Sequence, residues 1–99
     1  MALVIDPAGN EVRALAQATH WRGKRVLEVG CGSGRLTLRL AHLGAARIDA
    51  RDPDAKLIHT ARKNLPKRYA HCIEYHVGEA ERVGHQANTF DLVVFSWAL

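Results

Sequence analysis

The sequence predicts an α/β fold, a three-layer sandwich built around a parallel sheet. Helical and extended periods alternate along the chain, which is the pattern of βαβ units. Two extended segments, residues 26–29 and 90–95, are almost continuously apolar, as strands buried on both faces are. A glycine-rich turn, residues 30–34, separates the first of these strands from a helix. Together these features favour a sheet whose strands are joined by helical crossovers.

The first half of the chain contains a helix, a strand and a second helix. Residues 10–20 place apolar side chains on one helical face, and Trp21 and Gly23 end that period. Residues 26–29 follow as the first predicted strand. The spacing of the leucines at 36, 40 and 43 then predicts a helix over residues 35–43, with Gly44 as its carboxyl-terminal stop.

The second half repeats this alternation. Residues 47–51 predict a second strand, which Asp49 interrupts. The run Asp52-Pro53-Asp54 opens a helix that extends to Leu65, with Pro53 in its first turn and buried positions at 57, 58, 61 and 65. Residues 73–77 alternate like a third strand, and residues 90–95 form the fourth.

Composition limits the class of protein. The 99 residues suffice for one modest core, and 47% hydrophobic with 24% charged residues exclude a disordered chain. No stretch approaches the roughly 20 apolar residues of a membrane span, and the start lacks the features of a signal peptide. We therefore expect a cytoplasmic protein with no membrane partner.

The cysteines and histidines do not predict a metal site. Cys31 and Cys72 belong to no CxxC pair, which predicts free thiols. None of the six histidines has HxxxH or HExxH spacing, so we expect no bound metal.

The glycine run lets a ligand approach the backbone at a helix amino terminus. It is not a phosphate-binding loop of the Walker type, because the only Gly-Lys pair, Gly23-Lys24, is followed by Arg25. It also departs from the dinucleotide fingerprint GxGxxG, because Arg35 stands where that pattern needs its third glycine. Asp52, about 20 residues beyond the run, lies where a ribose-binding acid is expected.

Four segments, in this order and spacing, resemble the class I S-adenosylmethionine-dependent methyltransferases. They are VLEVGCGSG at 26–34, which resembles motif I, DPD at 52–54 with ARKN at 61–64, GEAE at 78–81, and NTFDLVVFSW at 88–97. The resemblance implies a Rossmann-like sheet with strand order 3-2-1-4, the first four strands of a seven-stranded fold ordered 3-2-1-4-5-7-6. It also implies one partial domain over residues 1–99, with an amino-terminal helix and lead-in at 1–24 and cofactor-binding βαβ units at 25–99.

The same resemblance implies a set of cofactor-binding residues for S-adenosyl-L-methionine. Those around its methionine moiety are Glu28, Gly30, Cys31, Gly32 and Ser33, with Ser96 flanking that moiety and facing the substrate. Asp52 would accept both ribose hydroxyls, Pro53 beside it also belongs to the cofactor-binding set, and Glu79 and Ala80 would contact adenine. Two alternatives stay open for the ribose acid: a register shift would give its role to Asp49, and Asp52 could instead only cap the following helix.

The implied activity is methyl transfer from the cofactor sulfonium to an acceptor by direct displacement, which needs alignment rather than a defined catalytic base. The sequence identifies neither catalytic residues nor the methyl acceptor. Three other functions remain as alternatives: an inactive cofactor-binding fragment, a nicotinamide-dependent oxidoreductase, and a basic nucleic-acid-binding module.

Two further partners follow from charge and topology. The net charge of +4 suits nucleic acid, although the densest basic group, at positions 62, 63, 67 and 68, lies where cations would simply oppose a helix dipole. The fourth strand would be an unpaired apolar edge in a four-stranded sheet, so self-association through that edge is also expected.

Overall fold

The structure is a computed structural model that describes residues 2–5, 21–78 and 90–96, with only the backbone described for 2–5. Two expectations fall outside these ranges: the helix at 10–20, and the adenine contact expected of Glu79 and Ala80.

The described elements follow the predicted alternation. In chain order they are β1 (Ala2–Ile5), β2 (Arg25–Val29), α1 (Arg35–His42), β3 (Arg47–Asp52), α2 (Ala55–Lys63), a short 3-10 helix (Lys67–Tyr69), β4 (Ile73–Val77) and β5 (Leu92–Phe95). The four predicted strands correspond to β2, β3, β4 and β5.

In the described part of the chain, the strands form one sheet with the order β1-β5-β2-β3-β4. Every pairing is parallel. The order 3-2-1-4 predicted for the four central segments is therefore confirmed. Because all of these strands run in the same direction, their carboxyl ends meet at one edge of the sheet, next to the glycine-rich loop.

The first strand corrects one expectation. Ala2–Ile5, at the start of the segment expected to supply a helix and a lead-in, pairs in parallel with β5. The fourth predicted strand is therefore not an edge, because β1 covers the side that was expected to be open. Apolar, partly β-branched residues suit such a strand, but a run this short shows no periodicity that separates it from an irregular lead-in.

The core lies between the sheet and the two described helices. Val26, Ile48 and Ala50 are fully buried on this face and cluster with Leu40 and Ile58 from the helices. The opposite face carries a smaller buried cluster of Leu27, Val29 and Val93. β3 also continues through Asp49, contrary to the expected interruption, because alternation places that carboxylate on the face away from the helices.

The helix boundaries depend on identifiable residues. α1 ends at His42, and Gly44 at φ +100° supplies the expected stop. α2 begins at Ala55, not at Pro53, because the Asp54 side chain accepts hydrogen bonds from the backbone N–H groups of Lys56 and Leu57. Pro53 therefore precedes the cap instead of lying in the first turn.

Within the described ranges, no helix combines the length and the apolar character needed to cross a membrane.

Candidate functional site

A cavity of about 260 Å³ opens where β2 ends and α1 begins. Five of the predicted site residues lie in its wall: Gly30, Cys31, Gly32, Ser33 and Ser96. Ser96 comes from the chain directly after β5, whereas the other four belong to the glycine-rich loop. The parallel order of the sheet brings them together, because β5 lies beside β2 and both strands end at the same edge.

The loop is held by its own backbone and by the neighbouring strand. The N–H groups of Gly30 and Cys31 both donate to the carbonyl of Arg51, at 2.8 and 3.0 Å, and Gly34 N–H donates to the Cys31 carbonyl at 3.0 Å. Gly32 has a φ of +59° and nothing within 4 Å of the place where a Cβ would stand. The loop is therefore a fixed cradle with open space above its central glycine, which fits a ligand held through backbone contacts.

Asp52 ties the end of β3 to this cradle. Its Oδ2 accepts a hydrogen bond from Gly32 N–H at 2.9 Å, and its Oδ1 accepts one from Asp54 N–H at 2.8 Å. The residue is 9% exposed. It does not itself line the cavity but lies one hydrogen bond away from it. The cap of α2 is Asp54, so Asp52 does not serve as that cap.

Asp49 lies elsewhere. Its Oδ1 is 3.1 Å from Arg51 Nε, and its Oδ2 is 3.9 Å from His76 Nε2. Because side chains alternate along a strand, Asp49 and Asp52 project from opposite faces of β3. Of the two acids, the structure therefore places only Asp52 beside the glycine-rich loop.

Glu28 lies beneath the cavity and not in its wall. Its side chain is fully buried, and its two oxygens accept from different hydroxyl groups: Oε1 from Thr37 at 2.5 Å and Oε2 from Ser96 at 2.6 Å. Both donors come from other elements, α1 and the segment after β5. Glu28 therefore fixes the orientation of Ser96, which does line the cavity.

The buried polar chain continues to β4. The hydroxyl of Thr37 is also hydrogen-bonded to Tyr75. Burial raises the pKa of Tyr75 to about 12, so this phenol stays protonated at neutral pH.

Cys31 lines the cavity, and its surroundings favour the protonated thiol. Burial, followed by the nearby carboxylates of Glu28 and Asp52, raises the pKa of its thiol far above the ordinary value. The side chain is therefore a neutral thiol at neutral pH, and a thiol is a weaker nucleophile than a thiolate.

Several wall residues were not identified from the sequence. Arg35, Leu36 and Leu57 complete the lining of the cavity. Leu57 was assigned to the buried face of its helix but is 39% exposed. The spacing of apolar residues does not predict the exposure of Leu57. Leu57 lies one position before the fully buried Ile58, and the helical period alone does not tell which of two adjacent apolar residues faces the core.

No group of three or more histidine, cysteine, aspartate or glutamate side chains among the described residues is placed to hold a metal ion.

Comparisons with known proteins agree with this site. A family model described as a methyltransferase domain matches residues 26–99. The chain is 40% identical over 72 residues to the ubiquinone biosynthesis O-methyltransferase of Methylocella silvestris, covering 73% of this chain and 27% of that protein.

Two solved structures share the fold. Precorrin 8W decarboxylase from Methanobacterium thermoautotrophicum superimposes with a TM-score of 0.66 at 30% identity, over 87% of this chain and 47% of that one. Phosphoethanolamine N-methyltransferase 1 from Haemonchus contortus, in complex with phosphoethanolamine and S-adenosylhomocysteine, gives a TM-score of 0.57 at 29% identity, over 75% and 15%. The chain thus spans about a quarter of the ubiquinone-pathway relative and less than half of either solved structure. The glycine-rich loop, the Rossmann-like strand order and the family match lead to one conclusion: this chain belongs to the family of methyltransferase domains.

Proposed function

We propose that the chain forms the cofactor-binding part of an S-adenosyl-L-methionine-dependent methyltransferase. The observation that carries the proposal is the hydrogen bond from Gly32 N–H to Asp52, which holds a carboxylate against the glycine-rich loop. Support also comes from the relative in Haemonchus contortus, whose structure contains S-adenosylhomocysteine.

The residues present fit such a ligand. The loop offers open space above Gly32, and the amino terminus of α1 adjoins it with Gly34 at the cap position and no side-chain cap. Each oxygen of Asp52 accepts one backbone N–H, and a carboxylate oxygen can accept two hydrogen bonds. Asp52 therefore keeps an acceptor position on each oxygen for the two hydroxyls of a ribose.

The neighbouring residues would complete the binding surface. Gly30, Ser33 and Ser96 would surround the methionine moiety, and Leu57 provides an apolar wall. Glu28 acts one layer below, because its carboxylate holds the hydroxyl of Ser96. We assign the adenine contact to Glu79 and Ala80 by resemblance alone.

When bound, the cofactor supplies an electrophilic methyl group on a sulfonium. The described residues contribute placement and not proton transfer. Cys31 is held neutral by burial, and Ser96 donates its proton to Glu28. This arrangement suits a direct displacement, in which the alignment of the reacting atoms lowers the barrier.

We also propose a cytoplasmic location, since Cys31 and Cys72 are both buried free thiols.

Calorimetric titration tests the proposal. We expect the chain to bind S-adenosylhomocysteine with one-to-one stoichiometry and not to bind NAD. Arg35 replaces the third glycine of the dinucleotide fingerprint, which disfavours NAD. A folded sample that binds NAD, or neither compound, would contradict the proposal. If binding is found, an assay with a methyl-labelled cofactor then separates a transferase from a module that binds without turnover.

A further inference from the structure

Both ends of the described fold carry charged residues. Asp52 and Asp54 lie at the carboxyl ends of the strands, beside the glycine-rich loop, together with Arg35, Arg51 and Lys56. Basic residues gather at the other end, where the strands begin and the helices finish. In chain order they are Lys24, Arg25, Arg39, His42, Arg47, Lys63, Lys67 and Arg68.

Only some of these cations are neutralised. Arg25 pairs with Asp91, and Arg47 pairs with Glu74. Within the described ranges, Arg39, Lys67 and Arg68 have no carboxylate partner. The surface formed by α1 and the 3-10 helix is therefore left with uncompensated positive charge.

A second cavity, of about 320 Å³, lies in this surface between the last turns of α1 and the 3-10 helix. Its walls are largely apolar and its rim is cationic. The lining residues are Leu38, Arg39, His42, Leu43, Pro66, Arg68 and Tyr69. No acidic side chain belongs to this set.

An aromatic ring lies in the wall of the cavity. The guanidinium of Arg68 is 4.9 Å from the centre of the Tyr69 ring, and the Tyr69 hydroxyl is 3.4 Å from His42 Nδ1. A ring, a stacked guanidinium and an imidazole thus lie around one apolar hollow.

Helix dipoles explain only part of this charge. They account for Arg39 and His42 in the last turn of α1 and for Lys63 in the last turn of α2. They do not account for Lys67 and Arg68, which follow the end of α2, or for an aromatic-walled cavity between the cations.

We infer that this second cavity binds single-stranded nucleic acid, with a base against Tyr69 and the backbone phosphates against Arg39 and Arg68. Bases stack on aromatic rings and on guanidinium planes, while the backbone follows positive charge. An acidic protein segment would satisfy the rim, but it has no particular need of the flat faces of Tyr69 and Arg68. The inference does not depend on the proposed methyl transfer, because the two cavities lie at opposite ends of α1.

Fluorescence anisotropy with a labelled twelve-residue oligouridylate tests the inference at two salt concentrations. We expect binding whose affinity falls as salt rises, with a log–log slope of about 0.7 for each phosphate contact. Tyr69→Leu keeps an apolar side chain but removes the stacking face, and it should weaken binding by about fivefold or more. Arg68→Gln should weaken binding and lower the salt slope by about 0.7.

Two controls make the result decisive. Lys56→Gln removes one exposed positive charge from the first turn of α2, at the other end of the fold, and should leave the affinity unchanged. Circular dichroism checks that each variant is folded. Equal loss in Lys56→Gln and Arg68→Gln, binding unaffected by Tyr69→Leu, or equal affinity for polyglutamate of the same length would overturn the inference. Failure to bind S-adenosylhomocysteine would overturn only the proposed function.

Discussion

The carboxylate of Asp52 accepts a hydrogen bond from the backbone N–H of Gly32 at 2.9 Å, although the two residues are 20 positions apart. The contact joins the end of β3 to the loop that follows β2. Because the two strands are parallel neighbours, both crossovers start from the same edge of the sheet. An acidic side chain and a side-chain-free backbone are thus held together before any ligand arrives, which reduces the cost of ordering a site on binding.

Replacing Asp52 tests whether its carboxylate binds the ligand. We expect Asp52→Ala to weaken the affinity for S-adenosylhomocysteine by about tenfold or more, because hydrogen bonds to a charged group are lost. The matched control is Asp49→Ala, which removes a carboxylate from the same strand but from the opposite face. Calorimetry should show unchanged affinity for the control, and the opposite ranking would assign the role to Asp49.

Replacing Gly34 is predicted to destabilise the fold. It has a φ of +96°, and a Cβ there would lie 2.4 Å from the hydroxyl oxygen of Tyr75. We expect Gly34→Ala to lower the free energy of unfolding by about 2 kcal/mol or more.

Gly23→Ala is the control for that variant. Gly23 also has positive φ, at +75°, but nothing lies within 4 Å of its Cβ position. Gly23→Ala should lower the free energy of unfolding only by the cost of holding an alanine at positive φ, about 1 kcal/mol. Urea unfolding measures both variants, and equal losses would show that the contact with Tyr75 carries no energy.

The buried hydroxyl of Thr37 is predicted to stabilise the fold. Thr37→Val keeps the shape of the side chain but removes the hydroxyl that donates to the fully buried carboxylate of Glu28. The loss of a buried hydrogen bond to a charged group costs about 2 kcal/mol. The control, Thr60→Val, removes an exposed hydroxyl that donates to the Lys56 carbonyl in α2, and it should change stability by under about 0.5 kcal/mol. Similar unfolding midpoints for the two variants would count against the buried chain.

Stability is predicted to fall at alkaline pH. Burial raises the pKa of Cys31 above its ordinary value of 9.0 and that of Tyr75 from 10.0 to about 12. As the pH rises past about 9, the unfolded chain loses these protons while the folded chain keeps them, so the slope of unfolding free energy against pH is negative.

Urea unfolding between pH 7 and 11 measures this slope. Burial also raises the pKa of Cys72. The variant Cys31→Ala removes one of these three groups and should make the decline above pH 9 shallower. An unchanged slope would mean that another group causes the decline.

The sequence predicts the central sheet because each strand and helix end is marked by residues within a short segment of the chain. Residues 92–95 are apolar without interruption, residues 26–29 are apolar except for Glu28, and Gly44 ends a helix at the position that its backbone requires. The position of Asp52 is also predictable, since it is the last residue before the Pro53-Asp54 helix opening. The exact start of α2 is not, because Pro53 and Asp54 are both acceptable at that boundary and only the hydrogen bonds of Asp54 decide between them.

What the sequence does not predict depends on contacts between distant elements. Thr37 and Tyr75 lie on a helix and a strand and meet only once α1 packs on the sheet. Leu57 belongs to the apolar pattern of its helix, yet it faces the cavity. The pairing of β1 with β5 joins residues about 90 positions apart. The four residues of β1 are too few to show a periodicity that would predict this strand.

The location at which S-adenosylhomocysteine binds tests most directly whether the glycine-rich loop is the cofactor site. Backbone amide chemical shifts, followed by nuclear magnetic resonance during a titration, report the location. We predict that the amides of Gly30, Gly32 and Gly34 shift together and saturate, while those of Gly23 and Gly44, at the other end of α1, remain in place. If the ligand leaves the three loop amides unchanged, the glycine-rich loop is not the cofactor site.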